Sequence, residues 1–127
     1  MSDNKDEKMR VLVVEDEAIS AILYKKILTR LGYDVCTPVA TGEDAIKTTE
    51  TERPDIILMD INLIGNLDGI EAAREITSNY PTPIIFITGY SNEETRERAM
   101  ELDPIAYLTK PINFDNLHGL IRTSLES

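Results

Sequence analysis

Three stretches of the chain are apolar at every position: Val11-Leu12-Val13-Val14, Ile56-Ile57-Leu58-Met59 and Ile84-Ile85-Phe86-Ile87. Short unbroken runs of this kind match strands buried on both faces, as in a parallel sheet covered by helices. Elsewhere the period changes. Ile19, Ile22, Leu23, Ile27 and Leu31 recur at helical spacing, with Lys25, Lys26 and Arg30 off that stripe. Gly32 supplies the stop. Residues 33–39 read as a less apolar strand nearer an edge, where Pro38 limits pairing. A helix is expected over 42–51, capped by Thr41 and ended by Arg53-Pro54.

The strand that finishes on Asp60 runs into a loop, 61–67, holding the turn residues Gly65 and Asn66. Asp68-Gly69-Ile70-Glu71 has the form of a capping box and opens a helix that fades at Asn79-Tyr80-Pro81. After the strand ending at Thr88-Gly89, Ser91-Asn92-Glu93-Glu94 reads as a second capping box. Its helix carries Arg96, Glu97, Arg98 and Glu101, and offers mainly Ala99, Met100 and Leu102 for burial, so light packing is expected. Asp103-Pro104 breaks it. A fifth strand covers 106–109, Lys110-Pro111 ends it, and Asn113 caps a last helix with Phe114, Leu117, Leu120 and Ile121. Strand and helix alternate five times, which predicts an α/β domain: a parallel sheet with helices on both faces and right-handed crossovers.

Length and charge narrow the class. The chain has 127 residues, the size of one domain, and a 42% hydrophobic share suits a packed core. The domain is expected over 9–125, behind a polar tail at 1–8 that has no apolar signal-peptide core. No apolar run approaches the ~20 residues of a membrane helix. With 23 acidic and 13 basic residues the net charge is −10, which argues against direct nucleic-acid binding. The single cysteine, Cys36, has no internal partner and reads as inert core in a cytoplasmic protein.

The chemistry gathers at the strand ends. Glu15 and Asp16 follow the first apolar strand, Asp60 ends the third, Thr88-Gly89 the fourth and Lys110-Pro111 the fifth. In a parallel sheet these ends share one edge, where ligands of open α/β folds bind. Oxygen donors without histidine or thiolate suit a hard cation, Mg²⁺ before Zn²⁺. Lys110 is a compact charge for a phosphate oxygen, and Thr88 a hydrogen-bond donor to another. Gly89 leaves room for an anion near the backbone. Asp60 can serve as a nucleophile that forms an aspartyl phosphate. Singly, each residue has an ordinary role as a dipole partner, strand end or surface lysine. Their joint placement favours chemistry.

On Val13-Val14-Glu15-Asp16-Glu17, Ile57-Leu58-Met59-Asp60-Ile61, Asp68-Gly69, Ile87-Thr88-Gly89 and Tyr107-Leu108-Thr109-Lys110-Pro111, the chain resembles a response-regulator receiver domain of two-component signalling. The likeness extends to the single-domain chemotaxis regulator in fold and spans nearly the whole chain. It implies a flavodoxin-like, doubly wound (βα)5 domain with strand order 2-1-3-4-5. It implies Mg²⁺ held by Glu15, Asp16, Asp60 and the backbone carbonyl of Asn62. Asp60 would be phosphorylated, with Lys110 and Thr88 binding the phosphoryl group and Tyr107 acting as the aromatic switch. Asn62 and Tyr90 would flank the path of hydrolytic water. The Lys110–Pro111 bond is expected to be cis. The implied partners are a sensor histidine kinase or histidine phosphotransfer protein and a downstream target or output domain, with no membrane insertion. Such a domain is a signalling module, not an enzyme with a separate substrate, although it assists its own phosphotransfer and autodephosphorylation. Two departures stand out: Ile64 occupies a position where receivers often carry proline, and the stretch from Asp60 to Gly69 is a residue longer than usual.

His118, the only histidine, lies within the last helix and reads as structural. Ile19, Pro111 and Ile112 lie near the crevice and offer an apolar patch for a kinase helix. A nucleotide- or flavin-binding fold is the rival, but no Gly-x-Gly-x-x-Gly or Walker motif follows any strand. A module that has lost phosphorylation fits poorly with the complete residue set.

Overall fold

Continuous apolar runs need cover on both sides, and the chain supplies it by alternation. The computed structural model describes residues 8–126, so most of the tail expected at 1–8 lies outside the described residues. Strands β1 (Arg10–Val14), β2 (Asp34–Val35), β3 (Ile56–Asp60), β4 (Ile84–Thr88) and β5 (Ala106–Thr109) interleave with five helices. These are α1 (Ala18–Arg30), α2 (Gly42–Glu52), α3 (Gly69–Asn79), α4 (Glu93–Met100) and α5 (Phe114–Glu126). All pairings are parallel, in the expected order β2-β1-β3-β4-β5. The register sets Asp60 beside Ile87 and Thr88 beside Thr109, so the strand ends line one edge.

Alternate residues of each inner strand feed opposite layers. Leu12, Val14, Ile57, Met59 and Phe86 pack beneath α2, α3 and α4 with Ala45, Ile70, Ile76 and Ala99. Val11, Val13, Leu58, Ile85 and Ile87 pack beneath α1 and α5 with Tyr24, Leu28, Leu117 and Ile121. Cys36 is buried, and desolvation pushes its thiol pKa up.

Two local expectations need correction, in β2 and at the cap of α4, while α1 resolves a choice of face that the sequence left open. Helix α1 turns Ala21, Tyr24 and Leu28 inward, while Ile19 and Ile22 are 83% and 66% exposed. The helix carries two apolar stripes, and the one meeting Val11 and Val13 includes an aromatic ring and a small alanine. Its end is as expected: Gly32 has φ 101°, its N–H reaches the Thr29 carbonyl, and the Tyr33 N–H reaches that of Leu28. Strand β2 is shorter than the span 33–39, because beyond Val35 the backbone leaves the ladder and returns only as a bridge from Val39 to Val14. The cap of α4 is Asn92, which accepts from the Thr95 N–H at 2.8 Å; Ser91 does not form the expected capping box. The box at Asp68 and Glu71 is formed in both directions.

Candidate functional site

The carboxyl edge of the sheet concentrates charge that is withdrawn from water. Glu15, Asp60 and Thr88 are 2%, 3% and 0% exposed. Carboxylate oxygens of Glu15, Asp16 and Asp60 all lie within 4.8 Å of one another. Lys110 reaches across from the end of β5, with Nζ 3.0 Å from Glu15 Oε1 and 3.1 Å from Asp60 Oδ2. Its backbone N–H donates to the Thr88 carbonyl at 2.9 Å, and the Lys110–Pro111 bond is cis, as expected.

The environment tunes these groups. Burial raises the pKa of Glu15, reinforced by the neighbouring Asp60 charge and opposed by hydrogen bonds from the Glu17 N–H and Lys110. Burial works against the Lys110 charge, yet the hydrogen bonds to Glu15 and Asp60 outweigh it and raise the lysine pKa. Glu15 is thus a strained carboxylate even with an ammonium beside it: desolvation exceeds what one shared cation returns. Three carboxylates and no nitrogen or sulfur donor fit a hard divalent cation.

The loop after Asp60 is held by backbone. The Asn62 N–H donates to Asp60 Oδ1 at 3.1 Å, and the Gly69 N–H to the Ile61 carbonyl at 2.8 Å. Any Cβ on Gly69 would be driven into the Asp60 carbonyl, so glycine is required there for close approach. Gly89 is different, since a Cβ there meets only Lys110 Cδ at 3.7 Å, an ordinary contact. Ile64 stands 72% exposed on this loop and Tyr90 70% exposed on the far side of the crevice.

Thr88 and Tyr107 lie where the neighbouring strands predict. Thr88 Oγ1 is 2.7 Å from Asn62 Oδ1 and 2.6 Å from the Tyr90 carbonyl, and accepts from the Tyr90 N–H at 3.2 Å. Tyr107 is half-buried, its hydroxyl 2.6 Å from that of Ser91, with the Arg96 guanidinium 5.1 Å from its ring centroid. Sequence reasoning missed the Asn62–Thr88 and Ser91–Tyr107 bonds and the Arg96 contact, which join residues remote in sequence and leave no local pattern. His118 is outside the site, its Nδ1 2.7 Å from the Tyr33 hydroxyl.

The geometry agrees with what known proteins say of the chain. A family model for the response regulator receiver domain matches residues 11–122. The transcriptional regulatory protein PdtaR of Mycobacterium tuberculosis (strain H37Rv) is 35% identical over 108 residues, 85% of this chain and 52% of the relative. The alkaline phosphatase synthesis transcriptional regulatory protein PhoP of Bacillus subtilis is 34% identical over 117 residues, 91% of this chain and 48% of the relative. The chain therefore spans about half the length of these curated relatives. Among solved structures, the signal receiver domain of a modulated diguanylate cyclase from Desulfovibrio desulfuricans G20 superposes with a TM-score of 0.87. It is 40% identical, covering 95% of this chain and 100% of that one. A CheY-like response regulator receiver domain protein from Methanospirillum hungatei JF-1 gives a TM-score of 0.88 at 28% identity, with 94% and 95% covered. Among the described residues no helix is long and apolar enough to cross a membrane. By the family model and by relatives above 30% identity, the chain belongs to the response-regulator receiver domains of two-component signalling.

Proposed function

We propose that Asp60 accepts a phosphoryl group from the phosphohistidine of a sensor histidine kinase or histidine phosphotransfer protein, in the cytoplasm. The response is passed on through the face made by α4, β5 and α5 to a protein target or output domain. The observation that carries this reading is the shared ammonium: Lys110 binds the buried Asp60 carboxylate while Glu15 and Asp16 crowd it. A carboxylate oxygen of Asp60 forms the new O–P bond as the N–P bond breaks, and that electron pair stays on the departing imidazole. Mg²⁺ held by Glu15, Asp16, Asp60 and the Asn62 carbonyl would supply the positive charge that this acidic site lacks. Lys110 neutralises one phosphoryl oxygen, and Thr88 donates to another.

Thr88 must leave its present partners to do so, opening space into which Tyr107 turns, away from Ser91. A switch from 1:99 to 99:1 requires about 5.5 kcal/mol of differential stabilisation. One charge-assisted hydrogen bond supplies only about 1.5–3 kcal/mol. The switch is therefore partial unless Lys110 and the metal add to it, and a partner that binds the active form supplies the rest. The lightly packed α4, with only Ala99 fully buried, suits such a response. Exposed Ile19, with Pro111 and the half-buried Ile112, forms the docking patch for the phosphodonor helix, extended by Ile22 and Leu23. Asn62 orients the hydrolytic water and Tyr90 shields the path, so Tyr90→Ala shortens the phosphoryl lifetime.

The test is incubation with acetyl phosphate, with and without Mg²⁺, followed by intact-mass measurement. One phosphoryl group is expected, only with Mg²⁺, and none in Asp60→Asn. Undiminished labelling of Asp60→Asn would sink the assignment.

A further inference from the structure

The hydroxyl of Thr88 is already fully occupied. It has one proton and two lone pairs. Its oxygen lies 2.7 Å from the Asn62 carboxamide, 2.6 Å from the Tyr90 carbonyl and 3.2 Å from the Tyr90 N–H. A single proton serves only one of two acceptors. The set closes when the Asn62 amide presents its Nδ2 instead, an orientation equivalent in shape. Thr88 then donates to the Tyr90 carbonyl and accepts from both the Asn62 amide and the Tyr90 N–H. In either orientation Asn62 ties down the group that the β4 end must move. Asn62 itself is exposed.

We propose that Asn62 is a positioning residue that clasps the Thr88 hydroxyl in its resting rotamer, so that a response at the β4 end begins only when this contact breaks. The inference rests on the reading of Asp60 as acceptor for its role in signalling, although the clasp belongs to the unphosphorylated protein. It gives Asn62 a task before phosphorylation as well as after it. Two residues past the acceptor, it sits on the same loop whose backbone holds Asp60 Oδ1, so rearrangement around Asp60 and release of Thr88 are linked through one residue.

The experiment is NMR on the full chain with no phosphodonor present. Three-bond couplings and the methyl shift of Thr88 report its χ1 rotamers, and the amides of Ser91 and Tyr107 report the neighbouring strand. Wild type should hold one Thr88 rotamer. Asn62→Leu, similar in size and unable to hydrogen-bond, should raise the minor rotamer about fivefold, as loss of one ordinary hydrogen bond implies. The Ser91 and Tyr107 shifts should move with it. In a Thr88→Val background, Asn62→Leu should produce no further movement of those shifts. An unchanged Thr88 rotamer in Asn62→Leu overturns the clasp, as does an equal response in the Thr88→Val background. A parallel reaction of wild type with acetyl phosphate and Mg²⁺ separates the two ideas. Absence of labelling there rejects the acceptor reading and leaves the rotamer result standing on its own.

Discussion

In the crevice, Glu15 and Asp60 are 2% and 3% exposed and share one ammonium at 3.0 and 3.1 Å. Across the α3–α4 boundary the pairs are open to water. Arg98 meets Asp68 at 3.2 Å with side chains 38% and 32% exposed, and Arg74 meets Glu101 at 3.6 Å at 52% and 64%. Both are cation–carboxylate contacts, lysine in the crevice and arginine at the boundary, but their energetic meaning differs. Buried charges cannot be relieved by solvent, so protons, metal and phosphoryl groups all change their free energy by large amounts. Exposed pairs are each worth little. Helix α4, which buries only Ala99 fully, is cheap to move, whereas α3 buries Ile70, Ala72, Ala73 and Ile76. The sensitive electrostatics thus lie in the crevice and the tolerant electrostatics along α4, the element proposed to respond.

The largest test of this contrast is Lys110→Met, which leaves Glu15 and Asp60 facing each other with no shared cation. Removing one partner from a buried pair costs about 3–5 kcal/mol, and the residual exposure of Lys110 puts the expected loss near the lower end, about 3 kcal/mol at neutral pH. The raised lysine pKa places its stabilising effect below the ordinary ammonium range and its loss only above that range, so wild type retains it throughout neutral pH. Urea melts in metal-free buffer measure the difference. The defect should shrink in acid as Glu15 takes up a proton. A loss under 1 kcal/mol would mean that crevice charges behave like surface ones.

Next in size is Glu15→Gln, which should stabilise the metal-free protein. Burial raises the folded-state pKa of Glu15, so the folded chain binds that proton more tightly than the unfolded chain. Stability then falls as pH rises from the ordinary carboxylate range through the raised pKa. Gln resembles the protonated acid and escapes this loss, so its advantage should be present at neutral pH and fade on acidification. On the proposed reading Mg²⁺ should reverse the order, because wild type would gain stability by binding it and the variant would lack one ligand. Asp16→Asn should likewise remove most of the Mg²⁺-dependent rise in melting temperature. A rise that survives in both variants would place the metal elsewhere.

How much of this was legible beforehand follows the same division between local and long-range causes. The inner strands were readable because burial on both faces forces continuous apolar runs, and their ends located Glu15, Asp60 and Thr88 together, while Lys110 followed from the less apolar edge strand β5. The Asp68 capping box was readable because both its bonds lie within four residues. Helix α1 left its buried face open, because Ile19, Ile22 and Leu23 form a stripe as regular as the buried one, and only the sheet surface decides between them. Ser91 misled because its hydroxyl is engaged by Tyr107, sixteen residues away, on a strand whose placement no local pattern encodes. The Asn62–Thr88 contact was invisible for the same reason, since it joins the loop after one strand to the end of the next.

The smallest effect is expected from Arg98→Ala, and it sharpens the contrast by where it acts. Arg98 bonds Asp68 Oδ2, while Oδ1 accepts from the Glu71 N–H, so the variant leaves the α3 capping box intact. The pair is about a third exposed, and its loss should cost about 0.2–1 kcal/mol. That cost should lower the global urea midpoint only slightly, and it should act first on α4, which opens without the sheet when so little of it is buried. It should appear as faster hydrogen exchange of α4 amides, by about 1.4- to fivefold, with α3 amides much less affected. High salt should mimic the substitution in wild type, since partly exposed pairs are screened within a few ångströms at about 1 M. Equal acceleration in α3 and α4 would show that the two helices open as one unit. The light packing of α4 would then not make it a separately movable element.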